Sequence, residues 1–382
     1  MTIALISSNA DSLLGFRLPL IRHLLAAGHR LSVLVPDPDA RVQSRLANLG
    51  VVVIAVPLSR TGLNPLADLL YVWRLRRELS GLGADAVIAY THKPCVYGMI
   101  AARLAGVPQR CALITGLGYP FMEEPGLGRA ALRLAMRYLY RLSSRATTAF
   151  VFQNPDDLAQ FQYFGIVRPG HRVVLVGGSG VPLDEFVPSP TPDVPRFLML
   201  ARLLVSKGVG LYIDAAQKVR SQSPSAEFTL AGSADNSPDS ICPRYREMLD
   251  SGRWVAYLGK INDVSAEIRL SSAVILPSYY REGVPRSLLE ALACGRPVIT
   301  TDMPGCREVL VAGVLGSGPG WERRPNGYLI KPRSSDALAS AIADFLRLDL
   351  PARQAMGRES RCLAEARFDA NMVSRDIEDV LI

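Results

Sequence analysis

The chain has 382 residues, 49% of them apolar, so it is long enough for two domains that each have a core. The net charge of +8 arises in the first half: residues 1–175 carry 19 Lys and Arg against 10 Asp and Glu, whereas residues 176–382 carry 24 against 25. Six cysteines without paired spacing argue against a disulfide framework and a zinc site. Because no apolar run reaches the roughly 20 residues that cross a bilayer and no signal-peptide pattern is present, we expect a soluble or peripheral protein.

Short apolar runs alternate with helical patterns from the first residue onward. Seven runs in the first half predict strands: Ile3–Ile6, Leu31–Val35, Val51–Val56, Ala86–Ala89, Cys111–Ile114, Thr148–Phe152 and Val173–Val176. Repeated strand–helix units imply right-handed crossovers and therefore a parallel sheet with helices on both faces. Residues 1–176 are predicted to form one doubly wound, Rossmann-like domain.

Two helices predicted in this half are strongly basic. The first covers Leu69–Leu79 and contains Trp73 and three arginines. The second covers Leu127–Leu142 and has an arginine at every fourth position: Arg129, Arg133, Arg137 and Arg141. Basic helices with leucine and aromatic residues are typical of a lipid interface, although an ordinary surface helix with a solvated arginine stripe has the same pattern. The charge distribution favours an anionic membrane surface over nucleic acid as the partner.

Residues 177–195 are rich in glycine and proline, and we interpret them as the connection between two domains. The alternation then resumes with five predicted strands: Arg196–Leu200, Phe228–Leu230, Trp254–Tyr257, Val274–Leu276 and Val298–Thr300. The sequence thus predicts an α/β fold of two doubly wound, Rossmann-like domains that face each other across a cleft, with ligands at the carboxyl ends of the strands. The glycine-rich residues 313–324 are interpreted as a surface loop.

The segment Glu282–Thr300 is the most informative about function. Two carboxylates, Glu282 and Glu290, lie around a predicted helix start that follows one apolar run. Pro285 suits the first turn of a helix, and Gly295 suits its end. The N–H groups at a helix start attract phosphate, and carboxylates beside them are suited to hold hydroxyls. The segment therefore predicts a site for a sugar nucleotide.

Arg202 and Lys207 lie between the first strand of the second half and the next helix. Two cations at the carboxyl end of a strand, in the same domain as the Glu282–Glu290 helix, can converge on one diphosphate. As an isolated pair they would more often be solvated surface charges. The carboxylate motif is what favours the diphosphate.

Candidate residues in the first half are fewer. His92 follows a predicted strand, a position at which histidine is more often structural than catalytic. Gly116 and Gly118 lie in a second loop, where glycines would let the backbone approach a substrate closely, although any tight turn would look the same. Glu123 and Glu124 are rival carboxylates that an inverting enzyme or a glycosidase would need, and we interpret them as solvated loop charges.

Two further segments follow the carboxylate motif, Ala293–Val298 and Asn326–Ile330. Together with Arg202, Lys207 and Glu282–Glu290, they resemble glycosyltransferase family 4, the retaining sugar-nucleotide transferases of GT-B fold. The first half is similar to a narrower branch through four segments: Phe16–Leu20, Thr91–Lys93, Thr115–Tyr119 and Val151–Asn154. That branch includes bacterial N-acetylgalactosaminyltransferases that extend polyprenyl-diphosphate-linked bacillosamine, and related O-antigen and capsule enzymes. The chain departs from many members after the first strand, where Ser7–Ser12 lacks their double glycine.

The resemblance implies a role for each candidate side chain. Arg202 and Lys207 would bind the donor diphosphate and stabilise it as it leaves. Glu282 would hold the hydroxyls of the transferred sugar, and Glu290 would hold the ribose hydroxyls. His92 would contact the donor sugar or its diphosphate.

The resemblance also implies which backbone segments hold the donor. The phosphates would meet the four residues that open the helix: Gly283, Val284, Pro285 and Arg286. The base would lie against three residues that follow a strand: Leu258, Lys260 and Ile261. Residues 1–176 would bind the acceptor, residues 196–364 would bind the nucleotide sugar, and a helix within 365–382 would return to the first domain.

The reaction implied is the transfer of a sugar, an N-acetylhexosamine, from a UDP-sugar to a polyprenyl-diphosphate-linked saccharide in bacterial surface-glycan or glycoprotein-glycan assembly. It would proceed with retention at the cytoplasmic face of the inner membrane. No cofactor or metal is expected, because two cations and a helix dipole already neutralise the diphosphate, and no nucleic acid is expected. Two alternatives stay open: a sugar-nucleotide epimerase of the same fold, and a noncatalytic membrane-associated protein that binds sugar nucleotides.

Overall fold

A computed structural model describes residues 1–59, 64–121, 126–235 and 237–382. The chain divides into two compact units, of which the first consists of Met1–Gly180 and Ala370–Ile382 and the second of Val181–Asp369. Glu123 and Glu124, the rival carboxylates, lie outside the described residues. Within the described ranges, none of the helices is long and apolar enough to cross a membrane.

The first unit is built on a parallel sheet of seven strands: β1 (Thr2–Ile6), β2 (Arg30–Val35), β3 (Val52–Ala55), β4 (Ala86–Tyr90), β5 (Gln109–Ile114), β6 (Ala149–Phe152) and β7 (Arg172–Leu175). The strands pair in the order β3-β2-β1-β4-β5-β6-β7. The winding therefore changes direction between β1 and β4, and in such sheets ligands bind at the carboxyl ends of the strands near that point.

The helices described between these strands are α1 (Asp11–Gly15), α2 (Leu18–Ala26), α3 (Ala40–Ala47), α4 (Pro65–Leu82), α5 (Met99–Leu104), α6 (Leu127–Ser144) and α7 (Pro155–Tyr163). A π-helical turn, Pro94–Gly98, precedes α5. Side chains alternate across a strand, so Ile3 and Leu5 of β1 enter one apolar core while Ala4 and Ile6 enter the core on the opposite face. Both faces of the sheet are thus covered, as the continuous apolar runs predict.

The second unit has an eight-stranded sheet: β8 (Arg196–Leu200), β9 (Glu227–Ala231), β10 (Ala256–Tyr257), β11 (Ala273–Leu276), β12 (Val298–Thr301), β13 (Gly316–Gly318), β14 (Trp321–Arg324) and β15 (Gly327–Ile330). The order is β10-β9-β8-β11-β12-β15-β14-β13, parallel except for the pairs that involve β13 and β14. Its helices are α8 (Val209–Gln222), α9 (Pro243–Asp250), α10 (Val264–Arg269), α11 (Arg286–Ala293), α12 (Ser335–Arg347) and α13 (Leu350–Arg367). The predicted α/β class with two doubly wound sheets is confirmed.

The interpretation of residues 313–324 as a loop is wrong, because most of this segment forms the antiparallel strands β13 and β14. Trp321 holds the hairpin on α12 by donating its indole N–H to Ser340 Oγ at 2.9 Å. A Cβ on Gly318 would lie 2.4 Å from the Trp321 ring, so the glycine that suggests a loop is required by the packing of the hairpin.

The last helix, α14 (Ala370–Asp379), belongs to the first unit and packs on α2. Glu378 accepts hydrogen bonds from the Nε2 atoms of His23 at 2.7 Å and His29 at 2.8 Å. These polar contacts lie beside an apolar one, since Val373 and Ile377 enter the core formed by α2 and the sheet. The helix is therefore fixed to the first unit by both burial and hydrogen bonds.

Candidate active site

The helix start predicted at Pro285 is present at the carboxyl end of β11. Helix α11 begins at Arg286, and Pro285 occupies the N-cap position in an extended conformation without a side-chain cap. The helix is anchored by Leu288, Leu289 and Leu292, which are buried in the core of the second unit. A helix start that is held rigidly and lacks a side-chain cap is suited to an anionic ligand.

Lys207 and Glu282 form an ion pair at this helix start. The Lys207 Nζ atom lies 2.5 Å from Glu282 Oε2, and both side chains are largely buried. Ser278 Oγ donates to the other oxygen, Glu282 Oε1, at 2.8 Å. A lysine ammonium has three donors, so Lys207 can bind Glu282 and a phosphate oxygen together.

Two glycines allow close backbone approaches around this pair, Gly208 between the loops after β8 and β11 and Gly305 between the loops after β11 and β12. Gly208 follows Lys207 with φ of +79°, and a Cβ there would lie 2.2 Å from the Pro277 carbonyl oxygen. Gly305 also has φ of +79°, and a Cβ there would lie 1.6 Å from the Gly283 carbonyl oxygen. Side chains at either position would separate the loops.

Among the described residues, Arg202 and Lys207 share no ion-pair partner. The Arg202 guanidinium is mostly exposed and donates to Asp235 Oδ2 at 2.7 Å. Hydrogen bonds from Ser237, followed by the charge of Arg202, lower the pKa of Asp235. Asp239, from the same loop, accepts a hydrogen bond from the Ser206 backbone N–H at 3.2 Å. The loop after β9 thus braces the segment that carries Arg202 and Lys207.

Glu290 pairs with Arg286 one turn earlier on α11, and the distance from Arg286 Nε to Glu290 Oε1 is 2.8 Å. Burial raises the pKa of Glu290, and the Arg286 charge opposes that shift. The predicted base site follows β10, where Leu258 and Lys260 are exposed and Ile261 is partly exposed. The Leu258 N–H donates to the Leu230 carbonyl oxygen at 2.9 Å, which fixes the start of this segment.

The predicted residues of the first unit follow β4 and β5. His92 Nδ1 lies 2.8 Å from the Tyr140 hydroxyl, and burial lowers the pKa of His92 to about 4, so the imidazole is neutral near pH 7. Gly116 and Gly118 have φ of +109° and +57°, a region that favours glycine over other residues. Both loops lie at the carboxyl edge of their sheet, as predicted.

Several residues around these sites carry no sequence signal of their own. Four residues form hydrogen bonds with a predicted site residue or with its segment: Ser278, Asp235, Asp239 and Tyr140. Single polar residues at such positions are common in any surface loop or helix, so the sequence does not mark these four. Gly208 does have a sequence signal, because a glycine directly after Lys207 at a strand-to-helix turn is typical of a tight backbone approach. In the described part of the chain, no group of three or more His, Cys, Asp or Glu residues is arranged to hold a metal ion.

Comparison with solved structures defines the class of fold. The crystal structure of Anabaena HepE in complex with UDP matches 100% of this chain and 99% of its own, with a TM-score of 0.77 and 19% identity. A glycosyltransferase from Rickettsia africae matches 100% of this chain and 97% of its own, with a TM-score of 0.75 and 17% identity. The protein has the GT-B fold.

Sequence comparison defines the family. The family described as glycosyl transferases group 1 matches residues 184–362, and the glycosyl transferase 4-like domain matches residues 17–206. The chain is 31% identical over 324 residues to the N,N'-diacetylbacillosaminyl-diphospho-undecaprenol alpha-1,3-N-acetylgalactosaminyltransferase of Campylobacter jejuni, covering 81% of this chain and 83% of that protein. It is 25% identical over 264 residues to the UDP-Gal:alpha-D-GlcNAc-diphosphoundecaprenol alpha-1,3-galactosyltransferase of Escherichia coli, covering 65% and 66%. The chain belongs to the group 1 (family 4) glycosyltransferases, and the resemblance inferred from its motifs is confirmed.

Proposed function

We propose that this glycosyltransferase transfers an N-acetylhexosamine from a UDP-sugar to a hydroxyl of a polyprenyl-diphosphate-linked saccharide, with retention of configuration. The main support for binding of a UDP-sugar is the Lys207–Glu282 pair beside the start of α11, a site that combines a cation, a carboxylate and a helix N-terminus. The proposed lipid-linked acceptor is supported by the C. jejuni and E. coli relatives, whose names both specify a saccharide on diphospho-undecaprenol.

In this proposal the donor lies along α11. Lys207 and Arg202 bind the diphosphate together with the backbone of Gly283–Arg286. Glu282 accepts hydrogen bonds from hydroxyls of the transferred sugar, and Glu290 accepts them from the ribose. The base lies against Leu258, Lys260 and Ile261, while His92 contacts the donor sugar or its diphosphate.

The chemistry follows from where negative charge develops. As the bond between the sugar C1 and the phosphate oxygen breaks, charge accumulates on the leaving diphosphate, where Lys207, Arg202 and the helix start stabilise it. The acceptor hydroxyl bonds to C1 on the same face, and its proton passes to the departing phosphate oxygen. No protein nucleophile and no metal are required, because the two cations and the helix dipole balance the charge of the diphosphate.

We further propose that α4 and α6 rest on an anionic membrane surface. Leu66, Leu69, Leu70 and Trp73 are exposed on one face of α4, and Leu127, Leu134, Tyr138 and Leu142 are exposed on one face of α6. Both helices pack against the turn Pro94–Gly98, so they belong to the same region of the first unit. Exposed apolar residues beside basic ones are suited to a headgroup layer.

Three arginines of α6 contact other parts of the first unit, unlike the solvated stripe of an ordinary surface helix. Arg133 Nε donates to the Pro120 carbonyl oxygen at 3.2 Å, and Arg141 Nε donates to the Phe164 carbonyl oxygen at 2.6 Å. The Arg137 guanidinium lies 4.7 Å from the Phe164 ring centroid. These arginines bind the first unit itself, so the apolar face of α6 is presented outward with positive charge at its margins.

The test is incubation of the protein with radiolabelled UDP-sugars and a bacterial membrane lipid extract. The proposal predicts label in the lipid fraction with one donor. Conversion to a free epimeric UDP-sugar would instead establish an epimerase, and donor binding without any product would establish a noncatalytic binding protein. A screen of nucleotide sugars by thermal shift selects the donor beforehand, because a ligand that binds the folded state raises the melting temperature.

A further inference from the structure

The segment that carries His92 is held in an unusual conformation. Thr91 is β-branched yet has φ of +71°, and its hydroxyl shares a hydrogen bond of 2.8 Å with Ser8 Oγ. Lys93 forms a buried ion pair with Asp68 at 2.7 Å, and the π-helical turn Pro94–Gly98 follows. Such backbone conformations persist where surrounding contacts enforce them, and they concentrate at functional sites. The residues on both sides of His92 are therefore fixed.

The His92 ring is fixed by Tyr140, which extends from α6. Tyr140 is 1% exposed, and its ring packs edge-on against Phe161 with 5.0 Å between centroids. Its hydroxyl lies 2.8 Å from His92 Nδ1. Among the residues that the structure describes, the Tyr140 hydroxyl has no other hydrogen-bond acceptor.

The direction of this hydrogen bond follows from the single proton of the phenol. Burial raises the pKa of Tyr140 well above its ordinary value, so the phenol keeps its proton. If His92 Nδ1 carried a proton and donated it to Tyr140, the buried phenolic O–H would lose its acceptor, which is costly. Tyr140 therefore donates and Nδ1 accepts. A neutral imidazole whose Nδ1 accepts a hydrogen bond carries its proton on Nε2.

We infer that Tyr140 is a positioning residue that fixes His92 in the Nε2–H tautomer, so that His92 serves the transfer reaction as a neutral hydrogen-bond donor and not as a general base. This inference rests on the proposed function, because it takes His92 to contact the donor. The Nε2–H group would donate to an oxygen of the donor sugar or its diphosphate. The low pKa of His92 agrees with this role, since the ring gains no second proton near pH 7.

The first test is spectroscopic and does not depend on turnover. The chain has four histidines, so imidazole ¹⁵N resonances of histidine-labelled protein can be assigned with a His92→Gln variant. At pH 7 the wild-type protein should show His92 protonated at Nε2 and bare at Nδ1. Tyr140→Phe should produce a mixture of tautomers. A wild-type His92 protonated at Nδ1, or an unchanged spectrum in Tyr140→Phe, would overturn the inference.

Tyr71→Phe is the matched control. Tyr71 is also buried in the first unit, on α4, and its hydroxyl makes no hydrogen bond to a residue within the described ranges. This variant removes a buried phenolic oxygen without touching His92, so the His92 resonances should keep the wild-type pattern. A shift of the His92 tautomer in Tyr71→Phe equal to that in Tyr140→Phe would mean that general loosening of the core, and not the Tyr140 hydrogen bond, sets the tautomer.

The second test uses transfer kinetics. The amide N–H of glutamine can replace an Nε2–H donor, whereas that of asparagine is placed nearer to Nδ1. His92→Gln should therefore retain at least about tenfold more kcat than His92→Asn, and Tyr140→Phe should lower kcat about tenfold. Equal loss in both His92 variants would contradict the donor role. If no donor gave transfer at all, the proposed function would fail, while the spectra would still decide the tautomer.

Discussion

Lys207 and Glu282, separated by 75 residues in the sequence, form an ion pair of 2.5 Å at the start of α11. The pair joins the loop after β8 to the loop after β11, and Gly208 provides the space for that approach because a Cβ there would meet the Pro277 carbonyl oxygen. A cation held in place before the donor arrives needs little rearrangement to stabilise a leaving diphosphate.

Replacement of Lys207 by alanine should lower kcat about 10²-fold to 10³-fold, the usual effect of losing a group that stabilises developing charge. It should also lower the melting temperature, because Glu282 stays largely buried without its cation. The measurements are initial rates at saturating donor and a thermal melt. Lys218→Ala is the control, since Lys218 pairs with Asp336 on the surface and its loss should change stability by under about 0.5 kcal/mol. Wild-type kcat in Lys207→Ala would place the diphosphate elsewhere.

Replacement of Glu290 by alanine should mainly weaken donor binding. Hydrogen bonds to a charged group contribute about 1.5–3 kcal/mol, so the dissociation constant for UDP should rise at least tenfold in calorimetric titration. Glu365→Ala is the matched control, because Arg361 and Glu365 form the same i,i+4 pair on α13. An equal effect of the two substitutions on UDP affinity would rule out the ribose role of Glu290.

Alanine substitutions of Gly208 and Gly252 should distinguish the free-energy cost of steric overlap from that of backbone strain. Gly208 and Gly252 both have positive φ, but a Cβ on Gly252 meets nothing within 4 Å. Gly252→Ala should therefore cost about 1 kcal/mol of unfolding free energy, and Gly208→Ala should cost about 3 kcal/mol or more and lower kcat as well. Urea titration gives the free energies. Similar values for the two variants would mean that the loops adjust to the added methyl group.

Charged substitutions on the apolar face of α6 should reduce membrane binding. Leu134→Glu and Tyr138→Glu place a carboxylate at exposed positions of that face, so flotation with phosphatidylglycerol vesicles should fall several-fold while phosphatidylcholine vesicles bind weakly throughout. Leu315→Glu, at an exposed position of the second unit, is the control and should float as wild type does. Undiminished flotation of both α6 variants would refute the assigned surface.

The contacts of Glu378 should make the attachment of α14 sensitive to acid. Burial alone would raise the pKa of Glu378, but hydrogen bonds from His29 and His23 outweigh it and leave the pKa below its ordinary value of 4.5. A carboxyl with a lowered pKa stabilises the fold above its unfolded pKa, and this contribution is lost as the pH falls through the folded value. Glu378→Gln should therefore be less stable than wild type at pH 7, and the difference should shrink below about pH 4.5. Melting temperatures measured from pH 3.5 to 7 give this comparison, and a constant difference would disprove it.

Much of the fold could be predicted because its signals are local. Continuous apolar runs such as Ala273–Leu276 indicate parallel strands covered on both faces, and Pro285 with Gly295 marks the bounds of α11 to within a residue or two. The hairpin that contains Trp321 has no local signal, because a glycine-rich segment resembles a loop unless a distant partner, here Ser340, is known. Tertiary contacts override local propensity in such segments.

The partners of the candidate site residues could not be predicted, for a different reason. Lys207 and Glu282 can each be identified by motif, but their pairing depends on the approach of two loops that Gly208 permits. Asp235 lies 33 residues from its partner Arg202 in the sequence, and Tyr140 lies 48 residues from its partner His92. Nothing in the local pattern marks either partner. Such pairings are properties of the packed sheet and its helices.

The most direct test of the central claim is the anomeric configuration of the product. The enzyme is supplied with a UDP-sugar labelled with ¹³C at C1 and a defined polyprenyl-diphosphate-linked saccharide, and the lipid product is examined by NMR. A retaining transferase gives a C1 signal with the α configuration of the donor, and after equal reaction times this signal is about 10²-fold to 10³-fold weaker in Lys207→Ala. A β-linked product, or label that stays on the nucleotide, would contradict the account.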